Sequence, residues 1–259
     1  MFKINLFSLN KIKLKIYQKI YLIFNKHSII DKELQDISEY LSIPIEIIKK
    51  KAKIKDTDSE NELWNIKKRD SIESYREYYS LNDHYLERQD YFNINHIDLL
   101  NEFPNLKKNA NILDYGCGSA SIIIKAKKKR NDLNIFLADI PEAITKDYAI
   151  WRLNKYNLGY TWIDIPKNEN IQTQDKFDLI RCHDVFEHTF HPLNVIKFFY
   201  KNLNKNGLIT FDYIENKIID KEVTMESQRM RLKVLKFVND NFKIIYYFNN
   251  KYVVKKINE

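Results

Sequence analysis

Two of the four glycines in this 259-residue chain lie one residue apart, in the stretch ILDYGCGSA that runs from Ile112 to Ala120. They follow an apolar run with Asp114 near its end, a pattern typical of a buried strand that leads into a sharp turn. Glycine has no Cβ, so Gly116 and Gly118 let bare backbone approach a ligand closely. A dinucleotide-binding GxGxxG motif needs a third glycine where this chain has Ser121, so the motif is incomplete.

Strand-like and helix-like segments alternate after residue 111, which predicts an α/β fold with a parallel sheet and helices on both faces. The expected strands are NILDY, NIFLADI, YTWIDI, FDLIRCHDV and GLITFDYI. The last two segments, FKIIYYF and KYVVKKI, are joined by Asn249-Asn250 and predict a closing β-hairpin. An antiparallel closing pair argues against a nicotinamide-binding domain, which ends in parallel strands.

Acidic residues follow the second and third predicted strands. Asp139 lies 21 residues after Gly118 and can accept both hydroxyls of a ribose. Asp164 can accept from the amino group of an adenine, with the backbone N–H of Ile165 beside it. Each acid is followed closely by a proline, so both could instead serve as turn residues.

Residues 1–63 predict a helical N-terminal extension. Apolar residues recur at helical spacing in its first part, and lysines interrupt them too often for a transmembrane span. We expect this helix to pack on the protein's own body or on a second subunit, with a peripheral membrane contact as the alternative. The apolar positions are Ile12, Ile16, Ile20 and Phe24.

Residues 31–53 predict two short helices split by Ser42-Ile43-Pro44, with the spacing of a helix-turn-helix. The expected buried positions are Ile37, Leu41, Ile43 and Ile48. The second helix opens with Ile45, Glu46 and Ile47 rather than with the Arg, Asn or Gln that contact bases. We therefore favour a small helical cap, with a nucleic-acid module as the alternative. A polar linker is expected at 55–62, and aromatic-rich lid helices at 64–103.

The net charge is +8, and residues 1–30 contain six lysines and no acid. A basic chain can bind nucleic acid or anionic lipid, although a lysine-rich composition with little arginine is a poor signature of phosphate recognition. Cys117 and Cys182 have no CxxC spacing, which argues against a zinc site and a disulfide framework. A reducing cytoplasm is the simpler expectation.

Five segments taken in order resemble the class I S-adenosylmethionine-dependent methyltransferases, and their small-molecule branch in particular. They are ILDYGCGSA, IFLADIPEA, YTWIDI, FDLIRCHDVFEHTFHP and LNKNGLITF, within residues 85–258. The resemblance implies a Rossmann-like, seven-stranded, mostly parallel sheet with a closing antiparallel hairpin, in a domain spanning 64–259. The chain departs from the family where Ala120 replaces a third glycine and where KNG replaces the commoner Pro-Gly.

The resemblance also implies S-adenosylmethionine as cofactor. Asp114, Gly116 and Gly118 would hold its methionine moiety, Asp139 its ribose, and Asp164 with Ile165 its adenine. His183 and Asp184 would face the reacting methyl group. The full expected set of cofactor-binding residues is Asp114, Gly116, Cys117, Gly118, Asp139, Ile140, Asp164, Ile165 and His183.

For catalysis we expect His183, Asp184 and His188 to take part, with a histidine as general base if the acceptor is a weakly acidic hydroxyl. Asp184, Glu187 and His188 could also form a hard-metal cluster. We favour the interpretation that Glu187 and His188 brace the following helix, and we expect no metal.

The predicted reaction is methyl transfer to a small molecule or biosynthetic intermediate, at oxygen rather than nitrogen. Nucleic-acid amine methylases carry Asp/Asn-Pro-Pro-Tyr/Phe after the fourth strand, where this chain has CHDVF. The alternatives are an RNA or DNA methyltransferase guided by the basic N-terminus, and a cofactor-binding protein without catalysis. Candidate acceptor-pocket residues are Tyr85, Tyr91, Tyr213 and Glu215.

Overall fold

The structure is a computed structural model that describes residues 34–53, 71–81, 86, 99–214 and 223–257. Within them it has eight α-helices: α1 (34–41), α2 (Ile45–Lys53), α3 (Ile72–Leu81), α4 (Leu99–Glu102), α5 (Ser121–Lys129), α6 (Thr145–Lys155), α7 (Pro192–Asn202) and α8 (Met225–Asn241). A 3₁₀ turn covers Phe186–His188. None of the described helices is long and apolar enough to cross a membrane.

Seven strands form one sheet in the order β3-β2-β1-β4-β5-β7-β6. They are β1 (Asn111–Tyr115), β2 (Asn134–Asp139), β3 (Thr161–Asp164), β4 (Phe177–Cys182), β5 (Leu203–Asp212), β6 (Phe242–Phe248) and β7 (Lys251–Lys256). The first five run parallel, and β7 pairs antiparallel with both β5 and β6. The predicted fold class is therefore confirmed.

The β6–β7 turn shows why the sequence predicts a hairpin there. Asn249 and Asn250 have φ values of 47° and 59°, so both adopt the left-handed conformation that a two-residue type I′ turn requires. Asparagine tolerates this region better than most residues with a Cβ. The turn reverses the chain and places β7 between β5 and the edge strand β6.

Helices cover both faces of the sheet. Leu113 faces the side that packs on α7 and α8, and its neighbour Ile112 faces the side that packs on α4, α5 and α6. Both residues are fully buried. Strands buried on both faces have continuous apolar runs rather than alternating ones, which explains the composition of NILDY and FDLIRC.

Residues 34–53 pack on α6. Ile37 and Ile48 are fully buried in a cluster with Tyr148, as the sequence predicts, and Leu41 and Ile43 are partly buried against it. The turn between the two helices places Ser42 at φ 54°, and the Ser38 hydroxyl donates to the Ile43 carbonyl at 2.7 Å. The two short helices thus form a cap on α6.

Several strand ends differ from the predictions by one to four residues, most at β5, which starts at Leu203 rather than at Gly207. α5 begins at Ser121, directly after Ala120, which has a left-handed φ of 54°. α7 ends at Asn202, and β5 starts directly afterwards because Leu203 pairs with Phe177 and buries its side chain. The predicted helix at 12–24, the linker at 55–62, and Tyr85, Tyr91 and Glu215 lie outside the described residues, as does most of the proposed lid at 64–103.

Candidate functional site

The glycine loop, residues 116–121, turns the chain at the carboxyl end of β1. Gly116 and Gly118 have φ values of +70° and +52°, which confirms that both use conformations that suit glycine. The N–H groups of Gly116 and Cys117 both donate to the Ala138 carbonyl, at 2.7 and 3.2 Å. A Cβ on Gly116 would lie 2.3 Å from Cγ2 of Val185, so this loop also packs tightly against the loop after β4.

Asp139, at the end of β2, is bonded directly to the glycine loop. Its two carboxylate oxygens accept from the N–H groups of Gly118 at 2.6 Å and Ile140 at 2.8 Å. Burial raises the pKa of Asp139 to about 6, although both hydrogen bonds favour the ionised form. A carboxylate has about four acceptor sites, so this side chain can still accept from a ribose.

Asp114 lies beneath the loop in a buried ion pair. Its carboxylate accepts from Nη1 of Arg181 on the adjacent strand β4 at 2.9 Å, and only 1% of Asp114 is exposed. A buried charge needs a partner of this kind. The pair fixes the register between β1 and β4 directly below the turn.

The residues expected at the adenine end have other contacts. Asp164 is half exposed, and one of its carboxylate oxygens accepts from Lys146 at 2.7 Å and from the indole N–H of Trp162 at 2.9 Å. The Lys146 hydrogen bond holds the pKa of Asp164 below its usual range. The backbone N–H of Ile165 donates to the Asp139 carbonyl at 2.8 Å. The ends of β2 and β3 are thereby tied together.

His183, at the end of β4, has a partner on each ring nitrogen. Nδ1 lies 2.8 Å from an Asp212 carboxylate oxygen, and Nε2 lies 2.9 Å from the Thr210 hydroxyl. The second Asp212 oxygen accepts from the N–H of Asp184 at 2.6 Å. Burial would raise the pKa of Asp212, but the hydrogen bonds from His183 and from the Asp184 N–H, together with the nearby cationic charge, outweigh burial and hold that pKa below the usual range. This geometry suits His183 to bracing the loop after β4.

Three carboxylates converge beside that loop. Oxygens of Asp184, Glu187 and Asp212 lie within 4.8 Å of one another. The pKa of the Asp184 carboxyl is raised, first by the protein groups that displace water around it and then by the neighbouring Asp212 charge. The metal cluster considered from the sequence consisted of Asp184, Glu187 and His188, and did not include Asp212. The structure instead turns His188 towards helix α3.

Helix α3 spans the loops that follow β2, β3 and β4. Its Tyr79 carbonyl accepts from the N–H of Ile144 at 3.2 Å, after β2. Its buried Arg76 donates from Nη2 to the carbonyls of Ile165 and Pro166 at 3.0 and 2.7 Å, after β3. Its Tyr75 hydroxyl bonds Nδ1 of His188 at 2.5 Å, after β4. One helix therefore bridges three loops at the carboxyl edge of the sheet, where α/β proteins bind ligands.

The loops after β3 and β4 are also joined by Glu169. This buried side chain accepts from the N–H of Phe190 at 3.0 Å and of His191 at 2.6 Å, at the start of α7. Burial raises the pKa of Glu169. No side chain of α7 caps the N-terminus of that helix. The Glu169 carboxylate instead accepts from backbone N–H groups just before it.

The comparisons with known proteins agree with this architecture. Residues 85–253, more than half of the chain, match the family described as "Methyltransferase domain". The chain belongs to this family. It contains a class I S-adenosylmethionine-dependent methyltransferase domain, and S-adenosylmethionine is the cofactor of that domain.

Two curated methyltransferases match part of the chain. A tRNA U34 carboxymethyltransferase of Sulfurimonas denitrificans is 28% identical over 130 residues, 49% of this chain and 42% of that protein. A malonyl-[acyl-carrier protein] O-methyltransferase 1 of Ilyobacter polytropus is 26% identical over 150 residues, 54% of this chain and 55% of that protein. The matches thus span about half the length of these relatives.

A solved structure shows the same fold. An O-methyltransferase family protein from Burkholderia thailandensis has a TM-score of 0.53 at 10% sequence identity, over 72% of this chain and 62% of that chain. At this identity the likeness shows the fold alone.

The residues of the methyltransferase domain fit the cofactor. A Cβ on Gly116 would clash with the Val185 side chain, so the turn needs glycine there. Asp139 lies across the loop from it with its carboxylate held by backbone N–H groups. This pairing of bare backbone with a positioned carboxylate suits an adenosyl ligand with a charged amino-acid end.

Sequence reasoning missed several residues of this candidate site. Asp212 ends a strand next to β4, so an acid at a strand's carboxyl end was a usable signal. Arg76, Arg181 and Glu169 gave no local signal. Two predicted residues lie in the interior: Tyr213 is fully buried and its hydroxyl donates to the Ser227 carbonyl at 2.5 Å, and Cys117 is buried with its thiol pKa raised by burial.

Proposed function

We propose that this chain methylates a small molecule or biosynthetic intermediate, at oxygen rather than nitrogen. The observation that carries the proposal is helix α3, which bridges the loops after β2, β3 and β4. A helix fixed across this edge covers the loops beside which the acceptor would bind, and this favours a small molecule over a macromolecule. The name of the Ilyobacter relative, an O-methyltransferase for malonyl-[acyl-carrier protein], supports oxygen as the acceptor atom.

We further propose that the glycine loop and Asp139 hold the cofactor. Backbone of residues 116–118 would approach the methionine moiety, and Asp139 would accept from the ribose hydroxyls. Asp164, with its half-exposed carboxylate, would lie near the adenine. When bound, S-adenosylmethionine supplies an electrophilic methyl group on a sulfonium. The residues of the chain orient the acceptor so that its attacking atom is in line, which can contribute about 7–11 kcal/mol of barrier lowering.

His188 is the general base in this proposal. Tyr75 holds its Nδ1, and this fixes both the ring orientation and its position between α3 and the loop after β4. A hydroxyl acceptor must lose its proton during transfer, and a positioned base contributes about 10²–10⁴-fold to such a step. His183, with both nitrogens bonded, supports Asp212 and the loop that carries Asp184.

A labelled-methyl assay tests the acceptor class. The protein is incubated with radiolabelled S-adenosylmethionine and a cell extract divided into a small-molecule and an RNA fraction. We expect label in the small-molecule fraction, on oxygen by mass spectrometry, and a loss of about 10²-fold or more in His188→Gln. Label on nitrogen, or full activity in His188→Gln, contradicts the proposed base.

A tRNA acceptor is the second candidate. The Sulfurimonas relative is named for tRNA U34, and the chain carries a net charge of +8. Label that enters the RNA fraction and is lost steeply with rising salt concentration favours this candidate and overturns the first, because phosphate contacts release counterions.

A further inference from the structure

A buried arginine on α6 connects the N-terminal helix α1 to the glycine loop. Nε of Arg152 donates to Asp36 at 3.0 Å. Nη1 of the same side chain donates to the Ser119 carbonyl at 3.2 Å and to the Ser121 hydroxyl at 2.6 Å. Arg152 and Asp36 are 3% and 4% exposed. Residues that are 116 positions apart in sequence therefore belong to one buried polar network.

At the glycine loop, the network surrounds Ala120, which has an unfavourable backbone conformation. Ala120 has a φ of 54°, which a residue with a Cβ adopts rarely. Arg152 bonds the residue before it and the residue after it, and the hydroxyls of Ser119 and Ser121 lie 2.9 Å apart. These contacts oppose relaxation of Ala120 towards an ordinary conformation, in which the loop would take another shape.

Asp36 provides a fixed anion at the other end. It also accepts from Lys155 at 2.9 Å and from the Tyr156 hydroxyl. Burial would raise the pKa of Asp36, but these hydrogen bonds and the adjacent cations outweigh it and hold that pKa below the usual range. The planar fork of Arg152 is thereby oriented from one side, which directs Nη1 at the loop.

We propose that Asp36, acting through Arg152, is a positioning residue for the cofactor. Helix α1, which carries Asp36, would thereby set the affinity of the glycine loop for S-adenosylmethionine. The inference rests on the proposed placement of the cofactor on residues 116–118. Asp36 reaches that loop through Arg152. Its effect falls mainly on the amino-acid end of the cofactor, because Arg152 contacts residues 119 and 121 of the loop. Asp139, which would hold the ribose, bonds the loop at Gly118 and is also held by the N–H of Ile140.

Binding calorimetry well below the unfolding temperature tests this with two ligands. S-adenosylhomocysteine has the amino-acid end, and 5′-methylthioadenosine lacks it. For Asp36→Asn we expect the Kd of S-adenosylhomocysteine to rise about tenfold, within the usual range for coupled contacts, and that of 5′-methylthioadenosine to change by less than about twofold. Glu39→Gln is the matched control, since Glu39 bonds the same Lys155 but not Arg152, and both Kd values should stay unchanged.

Ser121→Ala provides a second variant that removes only the hydroxyl at the loop end. It should show the same selective loss, and in combination with Asp36→Asn the two losses should not add. Equal weakening of both ligands, or unchanged S-adenosylhomocysteine binding in either variant, overturns the inference. If Asp139→Ala loses binding while Asp36→Asn keeps it, the inference alone fails. If the wild type does not bind S-adenosylhomocysteine, the proposed cofactor placement fails with it.

Discussion

At the scale of single residues, the proposed cofactor site depends most on the charge of the Asp139 carboxylate. The ionised carboxylate accepts from both ribose hydroxyls, whereas the protonated form has lost part of that capacity. Because burial raises the pKa of Asp139 to about 6, this change falls in an accessible pH range. We expect S-adenosylhomocysteine to bind about tenfold more weakly at pH 5 than at pH 7, measured by calorimetry.

The Asp139 carboxyl also makes the stability of the folded protein depend on pH. A folded-state pKa of about 6 against an ordinary value of 3.8 means that the folded protein holds the proton more tightly. The contribution of Asp139 to the free energy of unfolding therefore falls as pH rises from about 4 to about 6. Asp164→Asn should keep the pH dependence of binding, since the pKa of Asp164 is lowered. Wild-type affinity that is equal at pH 5 and pH 7 contradicts this role of Asp139.

Gly116 offers a second test at a single position. Alanine there combines a φ of +70° with a Cβ only 2.3 Å from the Val185 side chain. We expect Gly116→Ala to lower the free energy of unfolding by about 2–4 kcal/mol in urea titrations and to abolish S-adenosylhomocysteine binding.

Gly159→Ala is the matched control, because a Cβ at Gly159 meets nothing within 4 Å. Its free energy of unfolding should stay within about 0.5 kcal/mol of the wild type. Equal stability of the two alanine variants would show that the close approach of Gly116 to Val185 is not a constraint.

Among the structural elements, helix α3 carries the argument for a small acceptor. Arg76 holds this helix against the loop after β3. Replacing this buried side chain leaves the Ile165 and Pro166 carbonyls without their donor, which costs about 1–3 kcal/mol per buried group. We expect Arg76→Met to speed amide hydrogen exchange in α3 by about tenfold or more while α8 keeps its protection.

Glu73→Gln is the comparison variant for α3. Glu73 and Lys167 join the same helix to the same loop, but both side chains are more than half exposed. An exposed pair of this kind contributes little, so exchange in α3 should change little. Faster exchange in Glu73→Gln than in Arg76→Met would contradict the role assigned to the buried arginine.

The elements also show how far local sequence patterns extend. The strands Asn111–Tyr115 and Phe242–Phe248 were predicted to the residue, since apolar runs and turn residues are local signals. The bridge made by Arg76 and the network made by Asp36 join residues 89 and 116 positions apart. No period or motif records such pairs, because they arise only when the sheet brings the helices together. The sequence thus predicted those residues of the candidate site that lie at the ends of strands.

For the whole molecule, the described part of the N-terminal region packs on the methyltransferase domain. Ile37 and Ile48 are buried against Tyr148 of α6, and Asp36 reaches Arg152 and Lys155 on the same helix. Helices 34–41 and Ile45–Lys53 thus share a core with that domain. A nucleic-acid-reading function would have to use the faces of these helices that remain exposed, where Glu46 and Ile47 lie.

The central claim is that the glycine loop and Asp139 bind the adenosyl cofactor, and thermal unfolding tests it most directly. Wild type and Asp139→Ala are compared with S-adenosylhomocysteine, with NADH, and without ligand. At 100 times its Kd, a bound ligand stabilises the folded state by about 2.7 kcal/mol. We predict a raised Tm for the wild type with S-adenosylhomocysteine alone, and a smaller rise in Asp139→Ala. An unchanged wild-type Tm, or an equal rise with NADH, would contradict the claim.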